Sequence, residues 1–303
     1  MEHVPVFTNE VLRLLAPHPG GHYVDATADG GGHSLAIIRA IQPTGKLLAI
    51  EWDEELFGKL EARLKKECTR SSKNYVLRRT SYTELAMLVR SLTFGPVRGV
   101  LFDLGLSSFH LEASRRGFSF QRDETLDMRY SRDLPETAAD VLARRTPKEL
   151  EVILKNFGGE RFSRAIALGI ARERKTRPIR TTLDLVAVIR ASLPSSRRKW
   201  VESGRIHFAT RTFQALRIVV NHEFENIARG LAGAAAVLSP GGRIVAIAFH
   251  YAEDAQIKHF FRQPAMKSVF RSLTLKPIQP TNREMSLNPR ARSALLRAYE
   301  KIA

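Results

Sequence analysis

Residues 25–34 read Asp-Ala-Thr-Ala-Asp-Gly-Gly-Gly-His-Ser (DATADGGGHS). Three consecutive glycines between a run of small residues and a helical pattern describe a strand, a tight turn and a helix start. Glycines there let a ligand approach the backbone closely and leave amide N–H groups pointing outward at a helix N-terminus. The preceding stretch, HYVDATA (22–28), passes from Tyr23 and Val24 into small and polar residues, as a buried parallel strand does at its carboxyl end. The following stretch, SLAIIRAI (34–41), has helical spacing. Together they predict a β-turn-α unit whose turn faces a ligand.

Outward from this unit the same rhythm repeats. KLLAIEWD (46–53) is an apolar run ending in acids, and EELFGKLEARLKKE carries Leu56, Leu60 and Leu64 at intervals of four. NYVLRRTSY is a weaker third strand, and GVLFDLG (99–105) a fourth apolar run ending in an acid. Strands separated by helices imply right-handed crossovers and a parallel sheet, with ligands at the carboxyl ends of the strands. Those ends carry Asp25, Glu51, Asp53 and Asp103. Glu51, about twenty residues beyond the glycine turn, has the place of an acid that accepts hydrogen bonds from ribose hydroxyls. The same geometry serves nicotinamide enzymes, so these residues alone leave the nucleotide open. Neither a Walker A lysine nor G-x-G-x-x-G is present. Asp29 would repel a pyrophosphate and favour a ligand with sulfonium and ammonium groups, which shifts the balance from a dinucleotide towards S-adenosylmethionine.

From about 115 to 205 the pattern turns helical, in PKELEVILKNFG, ERFSRAIALGIARERK and TLDLVAVIRASL. The α/β rhythm then returns. FQALRIVVNHEFENIARGLAGAAAVL reads as one long helix, SPGG as a turn and RIVAIAFH (243–250) as a strand. AEDAQIKHFFR reads as a helix, and ALLRAYEKI (294–302) as a final strand or sheet edge. The expected organisation is an α/β core of residues 1–114 and 206–303, interrupted by an inserted helical domain of residues 115–205.

Of 303 residues, 44% are hydrophobic and 26% charged, the profile of a globular protein. No apolar run nears the ~18 residues a membrane span needs. The N-terminus shows no basic segment followed by an apolar one, so the chain reads as cytoplasmic without a membrane partner. Cys68 is the only cysteine. Intrachain disulfides and cysteine-based zinc sites are therefore excluded. Its place in LKKECTRSSK suits an incidental surface or half-buried thiol better than a nucleophile. No spacing of His, Asp and Glu calls for a metal. The net charge of +17 is uneven: residues 1–114 are neutral, residues 115–210 carry +9 and residues 211–303 carry +8. A neutral front and a basic remainder fit a small-molecule module joined to a polyanion-binding surface.

Several blocks stand in a family order: HVPVFTNEV (3–11), DATADGGGHS (25–34), AIEWD (49–53), LFDLGLSS (101–108), RGFSFQRDETLDMR (116–129), ATRTFQALRIVVN (209–221) and NPRARSALLR (288–297). In this the chain resembles the bacterial 16S rRNA cytosine-N4 methyltransferases, the MraW family, over nearly its whole length. The resemblance implies a Rossmann-like class I methyltransferase core with an inserted helical domain. It implies S-adenosylmethionine as methyl donor and a cytidine in the decoding region of 16S rRNA, within the small ribosomal subunit, as substrate. It places donor contacts on Gly31, Gly32, His33, Glu51, Tyr82, Asp103 and His110. The chain departs from the family at Asp29 (usually Gly), Glu51 (usually Asp), Tyr82 (often Phe) and His110 (often Gln). It departs again at AFHYAED (248–254), where the family has S-F-H-S-L-E-D.

Asp103, at the end of the fourth strand, is the candidate catalytic residue, either at the target amino group or orienting the methionine end of the donor. Arg211, Arg217 and Asn221 fall near one helix face and are candidate RNA contacts. Further candidates are His250, Arg290 and Arg292, and the segment Arg197, Arg198, Lys199 and Trp200, which pairs phosphate contacts with a stacking surface. The inserted domain would clamp RNA around a base drawn out of its stack. Three other readings stay open: a nicotinamide enzyme, a non-catalytic RNA-binding relative with a degenerate donor site, and a DNA cytosine-N4 methyltransferase. The target nucleotide and the choice between monomer and homodimer are not set by the sequence.

Overall fold

A computed structural model describes residues 5–68, 74–196 and 207–303. The chain divides into two compact units. One comprises residues 1–105 and 224–303, the other residues 106–223.

The first unit is a seven-stranded sheet: β1 (His22–Asp25), β2 (Lys46–Glu51), β3 (Tyr75–Arg79), β4 (Val97–Asp103), β5 (Leu238–Ala248), β6 (Phe270–Ser272) and β7 (Leu295–Lys301). The strand order is β3-β2-β1-β4-β5-β7-β6. β1 to β5 run parallel, and β7 is antiparallel to both β5 and β6. This is a Rossmann-like α/β sheet. The central strands read as unbroken apolar runs because helices cover both faces. Successive residues alternate between the two layers. Val24, Leu48, Ile50, Val100 and Phe102 pack with Leu85, Ile227, Leu231 and Ile257 on one face. Tyr23, Leu47, Ala49, Leu101 and Val245 pack with Val11, Ile37, Ile38, Leu60 and Leu64 on the other. The final strand predicted over 294–302 is present as β7, but it lies inside the sheet, with β6 at the edge. Cys68 ends the helix Glu54–Glu67 and is buried in the second layer, not at the surface.

The topology changes direction between β1 and β4. The chain leaves β1 towards β2 and β3, then returns to the other side through β4 and β5. At such a switch point the connections diverge and open a crevice at the carboxyl ends of the strands. Asp25 and Asp103 end the two strands that flank it.

In the second unit the helices Ala138–Arg144, Pro147–Asn156, Ser163–Glu173, Thr182–Ser192 and Thr210–Val220 share one core. It includes Leu142, Leu150, Leu154, Ile166, Ile170, Leu185, Ile189, Phe213 and Leu216. Three of these helices start with a reciprocal cap, Thr137 with Asp140, Thr146 with Glu149 and Thr181 with Asp184. Such a box satisfies amide donors that a helix start otherwise leaves open. The unit's bounds differ from the expected 115–205 because Phe213, Ala215, Leu216 and Val220 belong to its core. The long helix read over 213–238 is two helices, Thr210–Val220 and Glu223–Val237. Between them His222 takes a left-handed φ of 51°, and the Asn221 side chain is drawn into the unit's interior. Residues 117–136 are not helical: turns and bends fill this segment, and side chains hold it in place. Arg116 Nη1 donates to the carbonyls of Arg129 and Tyr130, both at 3.0 Å. Gly117, at φ 74°, is pressed so close to Thr125 that a Cβ would lie 2.4 Å from its carbonyl oxygen.

Candidate functional site

The site in the sheet unit is built by strand ends. β1 stops at Asp25, which is fully buried. Ser34 Oγ donates to its Oδ2 at 2.6 Å, and the Thr27 N–H to its Oδ1 at 3.3 Å. The turn then reaches Gly31, which has φ 80° and caps the helix Gly32–Ile41. A Cβ on Gly31 would come within 2.7 Å of Leu60 Cδ1. The glycine therefore provides both the left-handed backbone and the close approach to the next helix. Arg63 Nη1 closes the turn from outside, donating to the Gly30 carbonyl at 2.7 Å.

β2 stops at Glu51, whose carboxylate is oriented by backbone donors on both oxygens. The Asp29 N–H donates to Oε2 at 2.9 Å and the Asp53 N–H to Oε1 at 2.7 Å. Asp53 itself caps the helix Glu54–Glu67, accepting from the N–H groups of Glu55 and Leu56. β4 stops at Asp103, whose N–H donates to Thr27 Oγ1 at 2.6 Å. Its Oδ2 lies 3.6 Å from His33 Nε2. Its Oδ1 is buried and has no hydrogen-bond partner among the described residues. Tyr82 begins a short 3₁₀ turn after β3 and sets its ring edge-on to Phe102 at 5.7 Å. Gly230 leaves room for that ring, since a Cβ there would lie 2.5 Å from Tyr82 Cδ2.

Burial first, and neighbouring negative charge second, raises the pKa of three of these acids. Burial, then the charge of Asp29, pushes Glu51 up to about 8. Burial pushes Asp25 up to about 6, against the hydrogen bonds from Ser34 and Thr27. Asp103 is raised well above the usual carboxylate range by burial, then by Asp29, Asp25 and Glu253. A group of carboxyls that resists ionisation by itself favours a ligand that brings positive charge and hydrogen-bond donors. It can also accept hydrogen bonds from an amine or a diol.

Thus Gly31, Gly32, His33, Glu51, Tyr82 and Asp103 all belong to the sheet unit. His110 belongs to the helical unit, where its ring packs against Phe118 at 4.9 Å and Tyr130 at 5.0 Å. Thr27, Ser34 and Glu253 also touch or influence these strand-end acids, and sequence reasoning did not single them out. Thr27 and Ser34 sit within the quoted glycine segment, so their place beside the strand-end acids was visible there. Glu253 sits in AFHYAED (248–254), just past a predicted strand, but nothing there pointed to the acids of the other strands.

The candidate RNA contacts separate into buried and accessible groups. Asn221 is fully buried. Its Oδ1 accepts from the Tyr130 N–H at 2.7 Å, and its Nδ2 donates to the Met128 carbonyl at 2.7 Å. Arg217 is buried in a two-pronged pair with Glu223, at 2.7 and 2.9 Å. Both are corrected from RNA contacts to internal braces, because their donors and acceptors face protein. His250 caps the helix Tyr251–Arg262 in a reciprocal box with Glu253, a structural task. Arg211 and Arg290 are half-buried and Arg292 is exposed. Arg197, Arg198, Lys199 and Trp200 lie outside the described residues. No helix among the described residues is long and apolar enough to cross a membrane.

The chain matches the MraW methylase family over residues 1–302. It is 40% identical over 316 residues to the ribosomal RNA small subunit methyltransferase H of Syntrophobacter fumaroxidans, covering 99% of this chain and 97% of that protein. Against the protein of the same name from Pelobacter propionicus identity is 42%, with 99% of each chain covered. Against that of Thermomicrobium roseum it is 43%, covering 99% and 94%. A match running from the glycine turn to the last strand leaves one assignment: the chain belongs to the MraW methylase family.

Proposed function

We propose that this chain transfers a methyl group from S-adenosylmethionine to small-subunit ribosomal RNA, at the exocyclic N4 of a cytidine in the decoding region of 16S rRNA. The observation that carries the reading is the buried Oδ1 of Asp103, which has no hydrogen-bond partner among the described residues, at the switch point of the sheet. A buried acceptor left open costs free energy unless a ligand fills it. The relatives' names supply the substrate class.

The residues present fit the donor. Glu51 is held by two backbone donors with lone pairs left for a ribose diol. Gly31 and Gly32 bring backbone close to the ligand at the start of a helix, and the strand-end acids complement a cation. Tyr82 adds an aromatic wall and His33 packs beside Asp103. When bound, S-adenosylmethionine supplies an electrophilic methyl on a good leaving group.

The chain's own task is to position and to stabilise. The cytosine amino nitrogen is a weak nucleophile because its lone pair is delocalised into the ring. With its ionised form favoured by a bound cation, Asp103 would accept a hydrogen bond from an amino proton through Oδ1, so that positive charge growing on nitrogen meets a carboxylate. The Thr27 contact anchors the Asp103 backbone and His33 lies near Oδ2, so the residue is held where the reacting atoms would be aligned. The basic helical unit would hold the flanking RNA, with Arg211 there and Arg290 and Arg292 on the sheet unit as phosphate contacts.

The test is methyl transfer in vitro. Purified chain is incubated with methyl-labelled S-adenosylmethionine and, separately, small subunits, naked rRNA and DNA. The products are digested and read by nucleoside mass spectrometry. N4-methylcytidine from the ribosomal substrates is expected. An rRNA pool in which no cytidine gains a methyl group overturns the reading.

A further inference from the structure

Asp29 occupies a position made for glycine. Its φ is 43°, in the left-handed region that Gly, Asn and Asp tolerate best. Its N–H is tied to Glu51 Oε2 at 2.9 Å, which anchors the residue beside the acid that ends β2. Its charge reaches three strand ends. It is the largest electrostatic influence on Glu51 and on Asp103, and it acts on Asp25 as well. The groups gathered around these strand ends are Asp25, Asp29, Glu51, Asp53, Asp103 and Glu253 on the acidic side. His33, His250 and Arg63 stand on the basic side, with Arg63 paired to Glu67 through Nε at 2.9 Å. Among the described residues these acids outnumber the bases, and Asp103 Oδ1 has no hydrogen-bond partner.

We infer that Asp29 is a specificity-determining residue, which makes this pocket prefer the cationic methyl donor over its neutral-sulfur product, S-adenosylhomocysteine. The inference rests on the proposed function. Donor and product differ by one methyl group and by the positive charge on sulfur. Methyl transfer therefore removes the charge that the acids hold, and the product is bound less firmly than the donor. The same acids couple binding to protons. A sulfonium favours their ionised forms, so donor binding releases more protons than product binding does.

Calorimetry tests this on the full chain at pH 7 to 8, with donor and product each titrated in two buffers of different protonation enthalpy. The variants are D29N and D29G, both compatible with a left-handed backbone. Wild type is expected to prefer the donor and to release more protons with it. Each variant is expected to lower the donor-to-product affinity ratio about fivefold, the size of one charge acting across a partly screened site. The same ratio in all three proteins, or equal proton release with both ligands, overturns the inference while leaving the proposed function standing. A wild-type chain that binds neither compound overturns both.

Discussion

The internal braces Asn221 and Arg217 of the helical unit and the strand-end acids of the sheet unit all bury polar atoms, and they are used in opposite ways. In the helical unit, Asn221 and Arg217 are consumed by internal partners: the backbone of residues 128 and 130 and the carboxylate of Glu223. In the sheet unit, Asp103 keeps an oxygen open, and Glu51 is oriented by backbone donors that leave lone pairs unused. One unit uses its buried polar groups to fix a chain with little regular structure between residues 117 and 136. The other concentrates unfavourable charge where strands end. A buried polar group indicates a ligand only when protein leaves it unsatisfied.

The sharpest way to break this contrast is to change one residue on each side. Asp103→Asn removes the charge while keeping the shape. Single-turnover methylation is expected to slow about a hundredfold or more, within the range for losing a fixed charge at a reacting centre. Far-UV circular dichroism should match wild type and thermal stability should hold or rise, because no hydrogen bond to Oδ1 among the described residues is lost and a buried acid that resists ionisation becomes a neutral amide. Asn221→Ala does the reverse. It strips partners from the Tyr130 N–H and the Met128 carbonyl. It should cost about 2–4 kcal/mol in urea denaturation, the sum of two buried groups left unmade. The salt slope of RNA binding should not change, since no phosphate contact is removed.

A smaller effect sharpens the electrostatic half of the comparison. Glu51 has its folded-state pKa raised from 4.5 to about 8, and Asp25 from 3.8 to about 6. A carboxyl raised in the folded state binds its proton more tightly there than in the unfolded chain. Its stabilising contribution is therefore complete below the unfolded value and is lost as pH rises through the folded one. Stability of the free protein should fall between about pH 5 and pH 8, with Glu51 the larger contributor of the two. Glu51→Gln should flatten that slope in chemical denaturation series run at several pH values, whatever its effect on absolute stability.

Much of the sheet was legible because its signals are local. Apolar runs ending in Asp25, Glu51 and Asp103, with helical spacing between them, require parallel strands whose carboxyl ends carry acids. Three helix starts were marked locally too, each by a threonine followed three residues later by an acid, although that pairing played no part in the expected boundaries. The tasks of Arg217 and Asn221 were not. Helical periodicity shows which residues share a face, but not that Glu223 and the backbone at 128–130 wait on the other side. The break at residues 221–222 carries no glycine or proline to announce it, and the left-handed φ of His222 stands next to a buried Asn221. The inner position of β7 was equally hidden, because strand order depends on pairing between distant segments.

By itself the sequence determined the kind of sheet, the glycine turn that opens it, the acids at its strand ends and the family to which the blocks belong. All of these are short-range patterns of size, polarity and backbone freedom. Only the tertiary structure decided which polar groups are satisfied by protein and which are not. Hydrogen-bond satisfaction is a property of atoms brought together from remote parts of the chain, such as Asn221 with Tyr130 and Thr27 with Asp103.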